Sequence, residues 1–115
     1  MKVIVAGSRS ITDATVVAKA IADSGFEVTE LVCGRARGVD TLGEQWAFKN
    51  RVPVRLFHAG WDRYGRSAGI MRNLQMAVYA DALVAIWDGS SPGTRNMIDT
   101  MKCLGKPVFA VCHKP

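Results

Sequence analysis

No GxGxxG fingerprint and no GxxxxGK loop occurs in this chain, which argues against a standard NAD enzyme and a standard ATPase. Cysteine and histidine are scarce. Cys33, Cys103 and Cys112 include no CxxC spacing, and His58 and His113 add no metal-ligand pattern, so neither a metal nor a cofactor is expected. The cysteines sit in apolar surroundings and are expected to be reduced core residues, because a free cysteine packs as a small hydrophobe. No apolar run approaches the ~18 residues a membrane span needs. Met1-Lys2-Val3-Ile4-Val5 enters a strand directly, without a signal peptide, and the expectation is a soluble, cytoplasmic protein. Acidic residues are in deficit, 10 against 15 basic, and the resulting +5 favours an anionic partner.

What is present has a regular order. The chain's 115 residues predict one domain, 1–115, able to bury roughly 65% of its unfolded surface. Five short apolar runs, Val3 to Ala6, Val28 to Cys33, Val54 to Phe57, Leu83 to Ile86 and Val108 to Val111, alternate with segments of helical period. That is the pattern of successive βα units, and the lack of polar alternation predicts strands buried on both faces of a parallel sheet. The fold class is therefore α/β, an open Rossmann-like sheet in the order 3-2-1-4-5 with helices on both faces.

Four helices are predicted. The first opens at Thr12 or Asp13 and stops at Gly25, with Val16, Val17, Ala20 and Ile21 inward. The second buries Val39, Leu42, Gly43, Trp46 and Ala47. The third, from Ala68 to Tyr79, turns Ile70, Leu74, Ala77 and Val78 to the sheet. The last starts near Thr94 and buries Met97, Ile98, Met101 and Leu104.

Seven of the nine arginines, Arg9, Arg35, Arg37, Arg63, Arg66, Arg72 and Arg95, fall where strands hand over to helices. Those handovers gather on one sheet edge, so the arginines predict a single anion-binding face, with phosphate as the leading ligand chemistry. Gly7-Ser8-Arg9-Ser10 after the first strand and Asp88-Gly89-Ser90-Ser91-Pro92-Gly93-Thr94 after the fourth would flank the crevice at the switch between those strands. Each is also readable as a capped turn. Gly34-Arg35-Ala36-Arg37-Gly38-Val39-Asp40 brings two glycines and two arginines to a helix start, where Asp40 either accepts from a ribose hydroxyl or caps its own helix. Trp61 and Tyr64 offer stacking surfaces for a base or cover the third strand, and Arg72 and Asn73 lie one turn into the next helix.

Taken together, Val3-Ile4-Val5-Ala6-Gly7-Ser8-Arg9, Gly34-x-Ala36-Arg37-Gly38-Val39-Asp40, the run from Ala59 through Trp61, Tyr64-Gly65, Ala68-Gly69 and Arg72-Asn73 to Met76, and Asp88-Gly89-x-Ser91-x-Gly93-Thr94-x-x-Met97-Ile98 resemble the small YspA-like members of the SLOG superfamily. That superfamily includes the Lonely Guy phosphoribohydrolases and the Smf/DprA proteins. The resemblance implies a nucleotide site at the switch crevice. It is lined by Gly7, Ser8, Arg9, Gly34, Arg37, Gly38, Asp40, Arg72, Asn73, Gly89, Ser91, Gly93 and Thr94, with Arg9 and Arg72 neutralising phosphate.

Arg72 matches the arginine of the Lonely Guy enzymes, whereas the position of their glutamate in PGGxGTxxE is Met97, which cannot act as acid or base. Asp99 lies roughly 200° round the helix from Met97. Ser90-Ser91-Pro92 also replaces the first glycines of that stretch. The reading adopted is therefore a protein that binds a nucleotide or nucleotide-derived signal, as sensor or sponge, without turnover. The enzyme alternative is an N-glycosidase with Arg72 on the phosphate and Asp40 or Asp88 as the carboxylate. The third, ranked last, is single-strand nucleic-acid binding through Trp61 and Tyr64. The resemblance also implies a homodimer, because Lonely Guy proteins pair through helices beside the site. Met71, Met76 and Tyr79 are then either an exposed apolar patch or part of a broader buried face.

Overall fold

In the computed structural model, which describes residues 1–34, 38–57 and 68–113, five strands form one all-parallel sheet in the order β3-β2-β1-β4-β5. The strands are β1 (Lys2–Gly7), β2 (Glu30–Cys33), β3 (Val54–Leu56), β4 (Ala82–Trp87) and β5 (Val108–Cys112). Between them run α1 (Ala14–Ser24), α2 (Val39–Lys49), α3 (Ala68–Tyr79) and α4 (Pro92–Cys103).

Alternate side chains of the central strands supply two separate cores. Val3 and Val5 of β1 join Val17, Ala20 and Ile21 of α1 and Val39 and Ala47 of α2 on one face. Ile4 joins Met76 and Ala77 of α3 and Met97, Ile98 and Met101 of α4 on the other. The Rossmann-like reading and the strand order predicted from the sequence are what the chain adopts. α1 starts where Asp13 accepts a hydrogen bond from the Thr15 amide at 2.9 Å, and Gly25 ends it in a left-handed conformation.

Register at the sheet centre fixes the crevice. Gly7 pairs with Ile86, and a Cβ built on Gly7 would come 1.7 Å from the Ile86 carbonyl oxygen. Only glycine lets β1 lie that close to β4, and the Ser8 amide then donates to the same carbonyl at 3.1 Å. β1 is the strand from which the chain leaves in both directions, so its C-terminal end and that of β4 part around an opening.

Several expectations are corrected. α3 is rotated: Ile70, Leu74 and Val78 are exposed, while Ala68, Asn73, Met76 and Ala77 are buried. The apolar residues on this helix are not confined to one stripe, and the face carrying Asn73 and Met76 takes the sheet because Asn73 has partners there (below). Met76 is accordingly core, and Met71 and Tyr79 are half-buried. β3 lies at the sheet edge with Val54 and Arg55 exposed, so it is not covered on both faces. α4 begins at Pro92 and leaves Leu104 exposed at its C-cap. Cys33 is buried, but Cys103 and Cys112 are exposed and are not core cysteines. No described helix is long and apolar enough to cross a membrane.

Candidate functional site

A crevice of about 420 Å³ opens at the C-terminal edge of the sheet, between the β1–α1 loop, the β4–α4 loop and the first turns of α3 and α4. Gly7, Ser8, Arg9, Asp40, Arg72, Asn73, Asp88, Ser91, Gly93 and Thr94 line it, together with Ala6, Met76 and Met97 beneath. Gly34, Gly38 and Gly89, also expected at the site, are not among the lining residues. Arg37, Trp61 and Tyr64, and with them Arg35, Arg63 and Arg66, lie outside the described residues.

Three loops are locked to one another around the opening. The Ser8 carbonyl accepts from the Ile11 and Val39 amides, each at 3.4 Å, which ties β1–α1 to the start of α2. Gly38 makes that junction possible: its φ is +75°, and a Cβ there would lie 2.5 Å from the Ser8 carbonyl oxygen and 2.7 Å from Arg9 Cα. The Ser8 hydroxyl, itself buried, accepts from the Asp88 amide at 3.0 Å and reaches the Ser91 hydroxyl at 3.5 Å. It thereby staples the β1 loop to the β4 loop.

Each carboxylate in the lining already holds a loop. Asp88 accepts from the Ser90 amide at 2.9 Å, the Ser91 amide at 3.1 Å and the Ser90 hydroxyl at 3.2 Å. The Ser90 amide first, then the Ser91 amide and the Ser90 and Ser8 side chains, keep its carboxyl below the ordinary aspartate value. Asp40, buried in the first turn of α2, accepts from the Gly34 amide at 3.2 Å and pins the end of β2. Asp99 is exposed on the far side of α4 and does not reach the crevice.

The N-terminus of α4 is open. Its N-cap, Ser91, makes no side-chain capping bond, and the first turn contains no acidic residue. The first helical bond runs from the Arg95 amide to the Ser91 carbonyl at 3.0 Å, so the Gly93 and Thr94 amides ahead of it have no helical acceptor. No described residue lies within 4 Å of a Cβ built on Gly93, so among the described residues glycine there leaves room rather than relieving a clash. A cation, Arg95, even occupies the first turn, against the helix dipole. Arg95 turns away from the crevice, over the Trp87 ring at 5.3 Å and toward the Gly89 carbonyl.

Arg72 approaches from α3. Its Nη1 donates to the Gly34 carbonyl at 3.3 Å and its Nη2 to the Asn73 side chain at 3.4 Å, both long, while its Nε is buried without a hydrogen-bond partner. No carboxylate pairs with it among the described residues, where Lys19–Asp23 is the ion pair formed. Gly34 seats the guanidinium, since a Cβ there would stand 2.8 Å from Arg72 Nε. Asn73 donates to the Gly93 carbonyl at 3.2 Å and to Asn96 at 3.0 Å, fastening α3 to the open end of α4. The sequence reading does not single out Asn96; its signal is only its place one turn into α4. Met97 is fully buried along the crevice floor, where it brings no titratable group. Among the described residues no cluster of His, Cys, Asp and Glu could hold a metal ion.

The sequence profile of the YspA, cpYpsA-related SLOG family matches residues 1–64. The chain belongs to this SLOG family. Gene 61 protein of Mycobacterium phage D29 is 35% identical to it over 124 residues, covering 99% of this chain and 98% of the relative. No solved structure matches. SLOG membership points to nucleotide-related binding or processing, and the described part of the crevice lies in both the matched region, through Ser8, Arg9 and Asp40, and the remainder, through Arg72 and Gly93.

Proposed function

We propose that the crevice binds a nucleotide or nucleotide-derived signal through its phosphate and holds it without turnover, as a sensor or a sponge. The observation that carries this reading is the pairing of an uncapped, acid-free N-terminus of α4 with Arg72, whose buried Nε lacks an acceptor. Two free amides, a helix dipole and a guanidinium converging on one opening are complementary to a phosphate dianion. An isolated buried donor of this kind costs about 1–3 kcal/mol, and more when charged, which a phosphate oxygen would recover. Arg9, exposed at the mouth, adds a second positive charge.

The carboxylates support retention without hydrolysis. Breaking an N-glycosidic bond calls for a carboxylate at the reacting centre. Met97 brings none, Asp88 is engaged by the turn amides, and Asp40 is bound to Gly34. The test is to incubate the protein with nucleoside mono-, di- and triphosphates and cyclic or ADP-ribose derivatives, desalt, denature, and analyse both fractions by mass spectrometry. Intact nucleotide should be recovered with the protein and lost from the Arg9→Ala, Arg72→Ala double variant. Free base appearing only with protein present would establish turnover instead, and retention unchanged in the double variant would remove the ligand from this crevice.

A further inference from the structure

Both ends of the Asn73 carboxamide are spent on neighbours, and each bond has a fixed sense. The Gly93 carbonyl can only accept, so the Asn73 amide nitrogen must face it, at 3.2 Å. The Arg72 guanidinium can only donate, so the Asn73 oxygen must face its Nη2, at 3.4 Å. One Asn73 amide proton is then left, and it goes to Asn96 Oδ1 at 3.0 Å. Gly93 and Asn96 lie about one turn apart on α4, so this clasp closes on the turn whose amides are free. Asn73 is buried and lines the crevice, whereas Asn96 is half-buried and is not among the lining residues. Asn96 therefore acts on the opening through Asn73.

We infer that Asn96 is a positioning residue for phosphate: its carboxamide oxygen locks the Asn73 amide, and through it the Arg72 guanidinium, while leaving the positive charge of Arg72 to the ligand. This rests on the phosphate-binding reading of the crevice. The type of side chain carries the argument. An aspartate at 96 would accept from Asn73 more strongly than an amide does, and its charge would suit the helix dipole near the start of α4. On stability alone, aspartate is the better fastener there. The chain has asparagine instead, and the other acceptors that Arg72 and Asn73 use, the Gly34 and Gly93 carbonyls, are neutral as well. The described carboxylates of the lining, Asp40 and Asp88, bond to the Gly34 amide and to the Ser90 and Ser91 amides. The frame thus orients a guanidinium without neutralising it, which is what an incoming anion needs.

Inorganic phosphate titrated into isotope-labelled protein, followed at the Gly93 and Thr94 amides, tests the inference together with a thermal scan of each free protein. In the wild type both amides should shift along one saturable curve. Asn96→Ala removes the acceptor, so an Asn73 side-chain amide proton should exchange faster, and the phosphate dissociation constant should rise about three- to tenfold, the scale of one hydrogen bond. Asn96→Asp keeps the acceptor and adds a charge. Its free protein should melt at or above the wild-type temperature, yet bind phosphate at least about fivefold more weakly, because a like charge now stands beside the anion. A purely structural Asn96 would instead leave affinity untouched in a variant that folds as well as the wild type. Unchanged affinity in either variant, or an Asn96→Asp protein that loses stability and affinity together, would overturn the inference and leave the crevice reading standing. Wild-type amides indifferent to phosphate would remove both.

Discussion

Replacing Arg72 with methionine keeps an unbranched side chain against Gly34 and removes only the guanidinium. In the free protein the loss is small. The two bonds Arg72 donates, at 3.3 and 3.4 Å, are long, and together their removal costs about 1–2 kcal/mol. Deleting a buried Nε that has no acceptor offsets about 1–3 kcal/mol of that. The two effects nearly cancel, so the variant should unfold within about 5 °C of the wild type. Binding should respond quite differently. A charge-assisted bond to phosphate contributes about 1.5–3 kcal/mol, so the dissociation constant for the retained nucleotide should rise about ten- to a hundredfold. Thermal scans of the free protein and calorimetric titrations of both forms read the two quantities separately. A free protein destabilised by more than about 10 °C with affinity unchanged would make Arg72 a structural fastener and refute the reasoning.

Two glycines should respond in opposite ways. Gly38→Ala forces a Cβ onto the Ser8 carbonyl at a φ of +75° and should cost at least about 2 kcal/mol by urea denaturation, whereas an unchanged midpoint would mean that the α2 junction relaxes freely. Gly93→Ala meets no described residue within 4 Å, so the free protein should be as stable or up to about 1 kcal/mol more stable, while the added methyl at the crevice weakens nucleotide binding. Asn73→Ala should loosen the start of α4, seen as faster amide exchange at Arg95 and Asn96, since it removes the bonds to the Gly93 carbonyl and Asn96. Because the Ser90 and Ser91 bonds lower the Asp88 pKa, the turn's stabilisation is complete above the unfolded value and is lost as pH falls through the depressed folded one. The Ser90 and Ser91 amide resonances should therefore titrate with a midpoint below 3.8, and a midpoint above it would contradict the geometry.

The sheet and the crevice loops were legible in the sequence because short-range rules govern them. A parallel strand buried on both faces reads as an unbroken apolar run, and Gly7-Ser8-Arg9 and Ser91-Pro92-Gly93-Thr94 mark strand-to-helix turns by residue type alone. α3 defeated the same rules. Its apolar residues fall on two faces, and periodicity cannot tell which is inward when the deciding contact is polar: Asn73 bonds to Gly93 and Asn96, partners more than 19 residues away along the chain. The edge position of β3 and the exposure of Cys103, Cys112 and Leu104 likewise depend on what packs beside them, which local sequence does not encode. The ties holding Asp40 and Asp88 to backbone amides were visible only once the loops were in place, although a carboxylate beside a serine-rich turn is itself a signal for such bonding.

The central claim, that Arg72 and the open end of α4 grip a phosphate together, is tested most directly by nuclear magnetic resonance on labelled protein titrated with the nucleotide recovered from the panel. The account predicts that the Arg72 Nε–H resonance and the Gly93 and Thr94 amide resonances shift together along one binding curve, and that the same curve fails to appear in Arg72→Met. Nucleotide binding that leaves those three resonances in place, or that moves the amides while the Arg72 Nε–H stays fixed, would contradict it.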